Sequence, residues 1–554
     1  MTYSSWKKIM VPTHIKEKKE LILALAKEHT IHPLLMYQLF LAGIQSEQGV
    51  YHFLHPSSSN HHSPFLLNDM KEAVIRVIQA IHRKEQIMIF GDYDCDGITS
   101  TTLLTKGIQM LGGNVTARLP RREEGYGLSA KVMNDLPEGI SLILTVDNGT
   151  SAHEAIQIAN EKGIDVIVTD HHEVLGVRPN CYAFINPKRS DNTYPFPYLA
   201  GAGVALKVIQ ALFETLKLSF MEQCKELVMY ACIGTIADLM PLTDENRLIT
   251  WLGIRYLNEE SSFLPTLFRK LLKIKQFDST TIAFSVGPIF NAMGRISDPN
   301  ILLDLLLRNY ASLDEWVKVI ETNTLRKNMT AQHVNEANRL IHDNCWSEDA
   351  VIVIHGEFHA GIIGLIASRV AERHKKPCIV INHHGVGSAR SGNVPGFSII
   401  QAIQSCRFLL KKFGGHTAAA GFSITPDELH ISCFRHGIQQ AAKRQTMKPI
   451  HHHYLVNCQI DAFPDTLFSD MARLEPFGMK NPKPAFQSCL QRPNFIKQLG
   501  EEHLLLGFGG KNAFAFSKGN LFPSLMKKPE INVLYTTNCY QKGDFLIKDI
   551  GFCF

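Results

Sequence analysis

IMIFGDYDCDGITS, residues 87–100, is the stretch on which the fold turns. An apolar run short enough for a buried strand ends in Asp92, Asp94 and Asp96; Gly97 and a Ser/Thr-rich helix start follow. Three carboxylates this close repel one another unless a cation neutralises them. A generic D-x-D-x-D is more often a solvated acidic loop, but this one directly follows an apolar strand, where open parallel sheets hold their ligands. The same letters match the start of an EF-hand loop. The twelfth position counted from Asp92 is however Leu103 instead of a bidentate Glu, and a strand precedes the loop instead of a helix, so that reading fails. Cys95 lies within the motif with its side chain expected to point away from Asp94 and Asp96, as a packing residue.

Outward from this loop the pattern repeats. The runs QIMIF (86–90), NVTARL (114–119), SLILTV (141–146) and GIDVIVT (163–169) alternate with helix-like segments such as SAHEAIQIANEKG (151–163), which closes on Gly163. Strands alternating with helices predict an α/β fold with a parallel sheet built from βαβ units. SLILTV runs into Asp147, Asn148 and Gly149; GIDVIVT runs into Asp170, His171 and His172; CIGTIADLMPL (232–242) delivers Asp238. Singly, an Asp after a strand is often a helix N-cap, and a lone His is more often a packing residue than a ligand. Together they place Asp and His at the C-terminal ends of neighbouring strands, as a two-metal hydrolytic site requires. Carboxylates with imidazole suit Mn²⁺ or Mg²⁺, whereas a structural zinc site favours thiolates.

The remaining sequence sets the frame. At 554 residues the chain is long enough for roughly three or four domains. Hydrophobic residues at 45% and charged residues at 20% exclude a disordered chain. The net charge of +5 is too small to argue for nucleic acid by itself. Twelve cysteines without a C-x-x-C pair read as free thiols of a reducing compartment. MTYSSWKKIMVP lacks a signal-peptide apolar core and no apolar run is long enough to span a bilayer, so a soluble, cytoplasmic protein is expected. Residues 1–65 read as a helical lead-in ending in HPSSSNHHSP (55–64), 66–300 as the catalytic α/β domain, and 301–348 as a connecting helix with a capping box at Ser312 and Glu315. A smaller α/β domain is expected over 349–446. After a linker at KRQTMKPIHHH (443–453), short strands such as HLLLGFG (503–509) and INVLYTT (531–537) predict a small β-barrel over 447–554.

DYDCDG, VDNG, TDHH and ADLMPL, in this order and spacing, resemble the motifs of the DHH phosphoesterase superfamily. NAMGR (291–295), PRREEGYGLS (120–129) and EPFGMKNPKPAF (475–486) narrow the resemblance to the RecJ family. GEFHAGIIGLIASR (356–369), GSARS (387–391) and GGHTAAAG (414–421) resemble its DHHA1 domain, and the likeness runs from about 70 to 550. It implies a DHH domain joined by a long helix to a DHHA1 domain, with an OB-like barrel after them. The implied activity is a single-stranded-DNA-specific 5′→3′ exonuclease that releases 5′ mononucleotides, using two divalent ions, Mn²⁺ or Mg²⁺, in recombination and repair. The resemblance implies Asp94, Asp96, Asp147, His171 and Asp238 as metal ligands, with Asp147 bridging. It gives Asp170 an orienting role and sets Asp92 and His172 beside the metals. Some DHH relatives carry a His four residues before the first metal Asp; here Phe90 stands there, leaving Asp92 as the substitute.

For phosphate the resemblance implies Arg122 at the 5′ end, with Arg295, His359, Ser388, Arg390, Ser391, Gly415 and His416. Glycines let backbone N–H groups approach a phosphate closely, and Arg grips one through two hydrogen bonds. Read alone, GGH is a tight turn. Phe508, Phe514, Phe516 and Tyr535 would suit stacking of bases, but aromatics on short strands usually face the core and are expected there. The implied partners are single-stranded DNA, a single-strand-binding protein and a RecQ-type helicase, with no membrane and a monomeric state. Two other readings stand beside this one: a DHH phosphodiesterase acting on nanoRNA or cyclic dinucleotides, or a related pyrophosphatase, and a non-catalytic DNA-binding scaffold on the same fold. The barrel and the NAMGR and EPFG motifs disfavour the first. The retained Asp and His residues disfavour the second.

Overall fold

The alternation around residue 87 folds as a five-stranded, all-parallel sheet in the order Asn114–Arg118, Gln86–Phe90, Ile140–Val146, Asp165–Thr169, Ala183–Ile185. The strand Gln86–Phe90 has its sequence-next strand on one side and Ile140–Val146 on the other. The chain order therefore reverses between these two strands, and that is where a doubly wound sheet opens its ligand crevice. Register matters as much as order: Phe90 pairs with Thr145 and Val146 with Thr169. The residues that follow these strands consequently emerge at one edge. Helices Cys95–Met110, Gly201–Thr215 and Lys225–Ala237 pack together beside the sheet. Most residues of all three are buried; in the first, the hydroxyls of Ser100, Thr101 and Thr102 are satisfied by carbonyls of their own helix.

This computed structural model describes residues 6–10, 12–57, 61–308, 312–448, 452–527, 530–537 and 544–552. The chain divides into two compact units. One comprises Trp6–Asn291, Asp298–Val317 and His453–Phe554; the other holds Ala292–Ser297 and Lys318–His452. The first contains the parallel sheet and a seven-stranded mixed sheet. The second sheet runs Val456–Asn457, Phe486–Gln491, Ile531–Thr537, Asp544–Phe552, Lys511–Ala515, His503–Phe508, Phe495–Leu499. Where a barrel is expected, the described residues give this sheet, with no pairing between its two end strands. Its core is shared with the N-terminal helices: Ile22, Leu25, Leu35, Phe40 and Val50 pack in one apolar cluster with Phe486, Leu504, Val533 and Tyr535.

The other unit has a five-stranded sheet in the order Leu410–Gly415, Ala419–Ile424, Val386–Arg390, Cys378–Asn382, Ile352–Gly356. Only the last two of these strands are parallel neighbours. The helix Leu313–Asp343 opens on the expected capping box, in which Ser312 N–H donates to Glu315 and Glu315 N–H to Ser312 Oγ. The helix Glu428–Lys443 takes the first residue of the expected linker, and residues 449–451 of that linker lie outside the described residues. Among the described residues no helix is long and apolar enough to cross a membrane.

Candidate metal centre

Each acidic side chain reaches the site through a local feature of its strand or helix end. The strand Ile140–Val146 stops because Asp147 turns to φ +60°, a left-handed conformation that non-glycine residues seldom adopt outside strained or functional positions. Asp147 N–H still donates to Thr169 O (3.1 Å) and Asp170 N–H to Ile185 O (3.0 Å), so both residues leave their strands in register. After Phe90 the loop coils tightly into the helix Cys95–Met110. A Cβ on Gly97 would lie 2.3 Å from Asp92 O, so only glycine closes that turn. Asp94 caps the helix, its Oδ1 accepting from Gly97 N–H at 3.0 Å. Asp96 is buried and accepts from Gly201 N–H (2.7 Å) and Ala202 N–H (2.9 Å) at the start of the helix Gly201–Thr215. Asp238 closes the helix Lys225–Ala237.

These groups converge in three sets, of which Asp147, Asp170, His171 and His172 form one that shares His171 with the second and Asp147 with the third. Ligand atoms of Asp96, His171 and Asp238, the second set, lie within 4.8 Å of one another, as do those of Asp92, Asp94 and Asp147, the third. His171 Nε2 stands 3.0 Å from Asp147 Oδ1, 3.7 Å from Asp238 Oδ2 and 3.8 Å from Asp96 Oδ2, which links the second and third sets. Asp170 is engaged by hydrogen-bond donors. Its carboxylate accepts from Thr150 N–H (2.9 Å), His171 N–H (2.7 Å), His172 N–H (3.2 Å) and pairs with His172 Nδ1 (2.8 Å).

The electrostatics separate these roles. Burial would raise Asp170, yet the hydrogen bond and charge of His172, the charge of His171 and the Thr150 hydrogen bond hold it well below the usual carboxylate range. Burial alone would lower His172, but Asp170, Asp238 and Asp92 lift it to about 9. His171 is pushed down to about 3 by burial and by the charge of His172, so it is neutral at pH 7 and free to act as a ligand. Asp92, Asp147 and Asp238 are driven well above their ordinary range by burial and by neighbouring carboxylates, and Asp96 up to about 7. Protein groups alone leave this cluster electrostatically unbalanced.

A divalent cation corrects that imbalance, and the donor set fits one. Oδ2 of Asp238 and Oδ1 of Asp92 are buried with no hydrogen-bond donor. The available atoms are carboxylate oxygens and one neutral imidazole nitrogen, the hard donors that Mn²⁺ and Mg²⁺ take. Buried Cys95 offers no thiolate, because burial and then Asp94, Asp96 and Asp238 push its thiol far up.

Several supporting residues escape a reading of single motifs. Tyr126 Oη donates to Asp147 O (3.1 Å) and lies 3.1 Å from His172 Nε2. Asn148 binds Phe90 O and Leu128 N–H, tying two strand ends to the loop before Ser129. Asn291 Oδ1 accepts Cys95 N–H at 3.0 Å, between two metal-side aspartates. Tyr126 and Asn291 both fall within quoted motifs, EGYG and NAMGR, and that is their signal; the N–H pair of Gly201 and Ala202 has none. Arg122 lies over the Tyr93 ring, 4.8 Å from its centroid, and its charge reaches Asp92.

The expected phosphate residues of the other unit are only partly gathered. Arg390 Nη1 donates to Ser388 Oγ (3.1 Å) and Ala389 O (2.8 Å), and a Cβ on Gly364 would meet both side chains. They therefore pack against the first turn of the helix Ile363–His374. Arg295 Nη1 donates to Gly361 O (3.3 Å) and His359 Nδ1 accepts from Gly361 N–H (3.1 Å) at that same end. GGHTAAAG folds as the turn of a β-hairpin. Gly415 pairs with Ala420 at φ +144°, and His416 N–H is taken by Ala419 O (2.8 Å). Ser391 is buried with its N–H on Ala418 O (2.8 Å). Of the aromatics expected in the core, Phe508 and Tyr535 are buried, whereas Phe516 is 58% exposed.

Comparison with known proteins agrees with this geometry. The model for the DHH family, N-terminal domain, matches residues 86–235, and that for the RecJ OB domain matches 456–542. The single-stranded-DNA-specific exonuclease RecJ of Bacillus subtilis is 33% identical over 477 residues, covering 83% of this chain and 59% of the relative. The chain thus spans under two thirds of that relative's length. The enzyme of the same name from Thermus thermophilus is 30% identical over 494 residues, covering 86% of this chain and 69% of the relative. The crystal structure of RecJ with Mn²⁺ from Thermus thermophilus superposes with a TM-score of 0.82 at 26% identity, over 99% of this chain and 80% of that one. With these likenesses running through both sheets of the larger unit and across the rest of the chain, the protein belongs to the RecJ family of the DHH phosphoesterases.

Proposed function

We propose that the chain is a single-stranded-DNA-specific exonuclease that works 5′→3′ and releases 5′ mononucleotides by metal-dependent hydrolysis of phosphodiester bonds. The observation that carries the reading is the convergence of the groups Asp96, His171, Asp238 and Asp92, Asp94, Asp147, which meet where His171 Nε2 stands beside Asp147 Oδ1, with Asp170 and His172 against the same point. One group per ion is the demand of a two-metal phosphodiesterase. The named relatives are single-stranded-DNA-specific exonucleases.

In this reading Asp94, Asp96, Asp147, His171 and Asp238 would hold two Mn²⁺ or Mg²⁺ ions, with Asp92 beside them. When bound, the ions supply a water of lowered pKa and neutralise charge on the phosphate. The chain's own residues do the rest. Gly201 and Ala202 fix the Asp96 carboxylate, so it cannot swing away. Asp170 accepts from the backbone N–H groups of His171 and His172 and pairs with His172 Nδ1, which fixes the His172 ring beside Tyr126 Oη. Asn291 locks the loop between Asp94 and Asp96. Arg122 takes the 5′-phosphate end, with Arg295, His359, Ser388, Arg390, Ser391, Gly415 and His416 as the phosphate-gripping set. The role belongs to recombination and repair in the cytoplasm. A single-strand-binding protein and a RecQ-type helicase would supply the strand to a monomeric enzyme.

The deciding experiment uses one single-stranded oligonucleotide labelled at its 5′ end and another at its 3′ end, with Mn²⁺, Mg²⁺ or EDTA and a duplex control. Immediate release of labelled mononucleotide from the 5′ set, gradual shortening of the 3′ set and loss of both in EDTA are expected. Cleavage of dinucleotides alone would replace the reading with a small-substrate phosphodiesterase.

A further inference from the structure

The smaller unit holds a second group of metal-binding side chains, which neither the metal centre nor the phosphate set uses. The strands Ile352–Gly356 and Cys378–Asn382 are parallel neighbours, with His355 opposite Ile381 and Gly356 opposite Asn382. Val351 and Val353 pack with Ile379 and Ile381 in one apolar cluster. Alternation along the strands puts His355 on that same side and, just past the end of its neighbour, His383. Strand spacing and rise set their Cα atoms ~8 Å apart, a span that two imidazoles bridge through one ion. The turn that carries His383 is fixed by its own hydrogen bonds. Asn382 Oδ1 accepts from His384 N–H (3.1 Å) and Val386 N–H (2.8 Å), and Asn382 O from Gly385 N–H (2.9 Å).

Glu357 follows the first strand and meets this turn, its Oε2 standing 3.2 Å from His383 Nδ1. The His384 ring lies against that of His383, with centroids 3.8 Å apart. His355 Nε2 is buried without a hydrogen-bond partner, and the charges of Glu357 and His383 both reach its ring. An exposed His–Glu pair alone is a weak surface contact and leaves that buried nitrogen, which costs stability, unexplained. The Glu357 side chain is 86% exposed and that of His383 40%, so both are free to turn toward it. Arg435 opposes a cation here. Its guanidinium lies 3.8 Å from the centre of the Trp346 ring and donates to Val353 O (3.0 Å), and its charge reaches His355. That disfavours an ion held by charge alone, such as Mg²⁺, and favours one held by strong bonds to nitrogen.

We propose that His355, Glu357 and His383 form a second cation site, for a borderline transition metal such as Zn²⁺ bound through two imidazole nitrogens and one carboxylate oxygen. Three protein ligands of these kinds, with a fourth position left to water, make a familiar zinc set, unlike the carboxylate-rich set of the metal centre. The ion clips the ends of two parallel strands together and steadies the segment from Glu357 to Gly361, which carries His359. The site does not depend on the exonuclease reading.

The full chain, without an affinity tag, is kept in excess Mg²⁺ and titrated with Co²⁺ as the stand-in for Zn²⁺. Four-coordinate Co²⁺ on nitrogen absorbs visible light strongly and six-coordinate Co²⁺ among oxygens weakly, which tells this site from the metal centre. One equivalent with the strong spectrum is expected, bleached by one equivalent of Zn²⁺. His355→Ala and His383→Ala should each weaken Co²⁺ binding by about a hundredfold, the upper end of what residues that merely orient metal ligands contribute. Glu357→Gln should weaken it by about tenfold. Because His383 and Glu357 are exposed, their variants should keep the wild-type metal-free Tm, so that the loss reports binding and not folding. A strong spectrum that survives either His355→Ala or His383→Ala, or that is missing from the wild type, overturns the proposal.

Discussion

At the scale of single residues, Asp147 carries opposing demands. Burial and four neighbouring carboxylates drive it well above its ordinary range, so the metal-free site is held in an unfavourable state. Asp147→Asn removes one repelling charge. It should abolish cleavage, keep strand binding, and stabilise the metal-free protein by about 1 kcal/mol while erasing the rise in Tm that Mn²⁺ gives the wild type. Differential scanning fluorimetry with and without Mn²⁺ checks both signs, and a metal-free Tm that falls would contradict the repulsion argument. Gly201 makes the complementary case. A Cβ there would stand 2.6 Å from Asp147 Cβ, and Gly201 N–H is one of the two that grip Asp96. Gly201→Ala should therefore displace both carboxylates and lower kcat by about a hundredfold, the cost of an ångström-scale misplacement. Titration of activity against Mn²⁺ should show weakened metal affinity as well. The strand-borne aspartates were readable because a strand end followed by Asp is a local pattern. The grip on Asp96 was not, since its donors lie 105 and 106 residues away in sequence.

At the scale of elements, the helix Gly201–Thr215 has to stay fixed for its first turn to hold Asp96. Its anchor is Lys207, fully buried, whose Nζ donates to Glu245 Oε1 (2.7 Å), Gln210 Oε1 (2.7 Å) and His62 O (2.6 Å). Tyr194 Oη and His61 Nδ1 complete the coordination of Glu245. Removing one member of a buried pair strands the other, at a cost of about 3–5 kcal/mol, whereas replacing both by apolar groups is often neutral. Lys207→Met alone and Glu245→Gln alone should each destabilise by that order, and Lys207→Met/Glu245→Leu by much less, as measured by urea unfolding. The pH dependence has a defined sign. Burial opposes the Glu245 carboxylate, but His61, Lys207 and Tyr194 hold it at about 2, below its ordinary 4.5. A depressed carboxyl contributes stability that is whole above pH 4.5 and fades as pH falls toward 2. The stability gap between wild type and Glu245→Gln should accordingly narrow across that window; a gap that widens on acidification would reverse the assignment. None of this network was legible in the sequence, because the groups around Glu245 come from segments near residues 61, 194 and 207 that no local pattern connects.

At the scale of the whole molecule, the parallel sheet was legible and the partner of the N-terminal helices was not. Short apolar runs separated by helical periodicity announce βαβ units wherever they occur. The helices before residue 55 and the strands after 485 share one apolar core, and no local pattern connects segments that far apart. Arg247 tightens the arrangement. It lies 3.5 Å from the centre of the Phe53 ring and donates to Phe53 O (3.1 Å) and Leu474 O (3.1 Å), so the helix Asp244–Glu259 ties the segments around residues 53 and 474 together. The consequence is mechanical. Leu35 is fully buried in the shared cluster, and Leu35→Ala should cost about 2–5 kcal/mol. If the N-terminal helices and the C-terminal sheet form one cooperative body, that loss must appear in both. Hydrogen exchange should quicken in Ile531–Thr537 and Lys19–Glu28 alike, while Ile140–Val146 of the parallel sheet keeps its protection. Protection lost only around Leu35 would mean the N-terminal helices are a separable layer, and deleting them would then leave the C-terminal sheet folded; with a shared core, the deletion should instead expose Phe486, Leu504 and Val533 and drive aggregation.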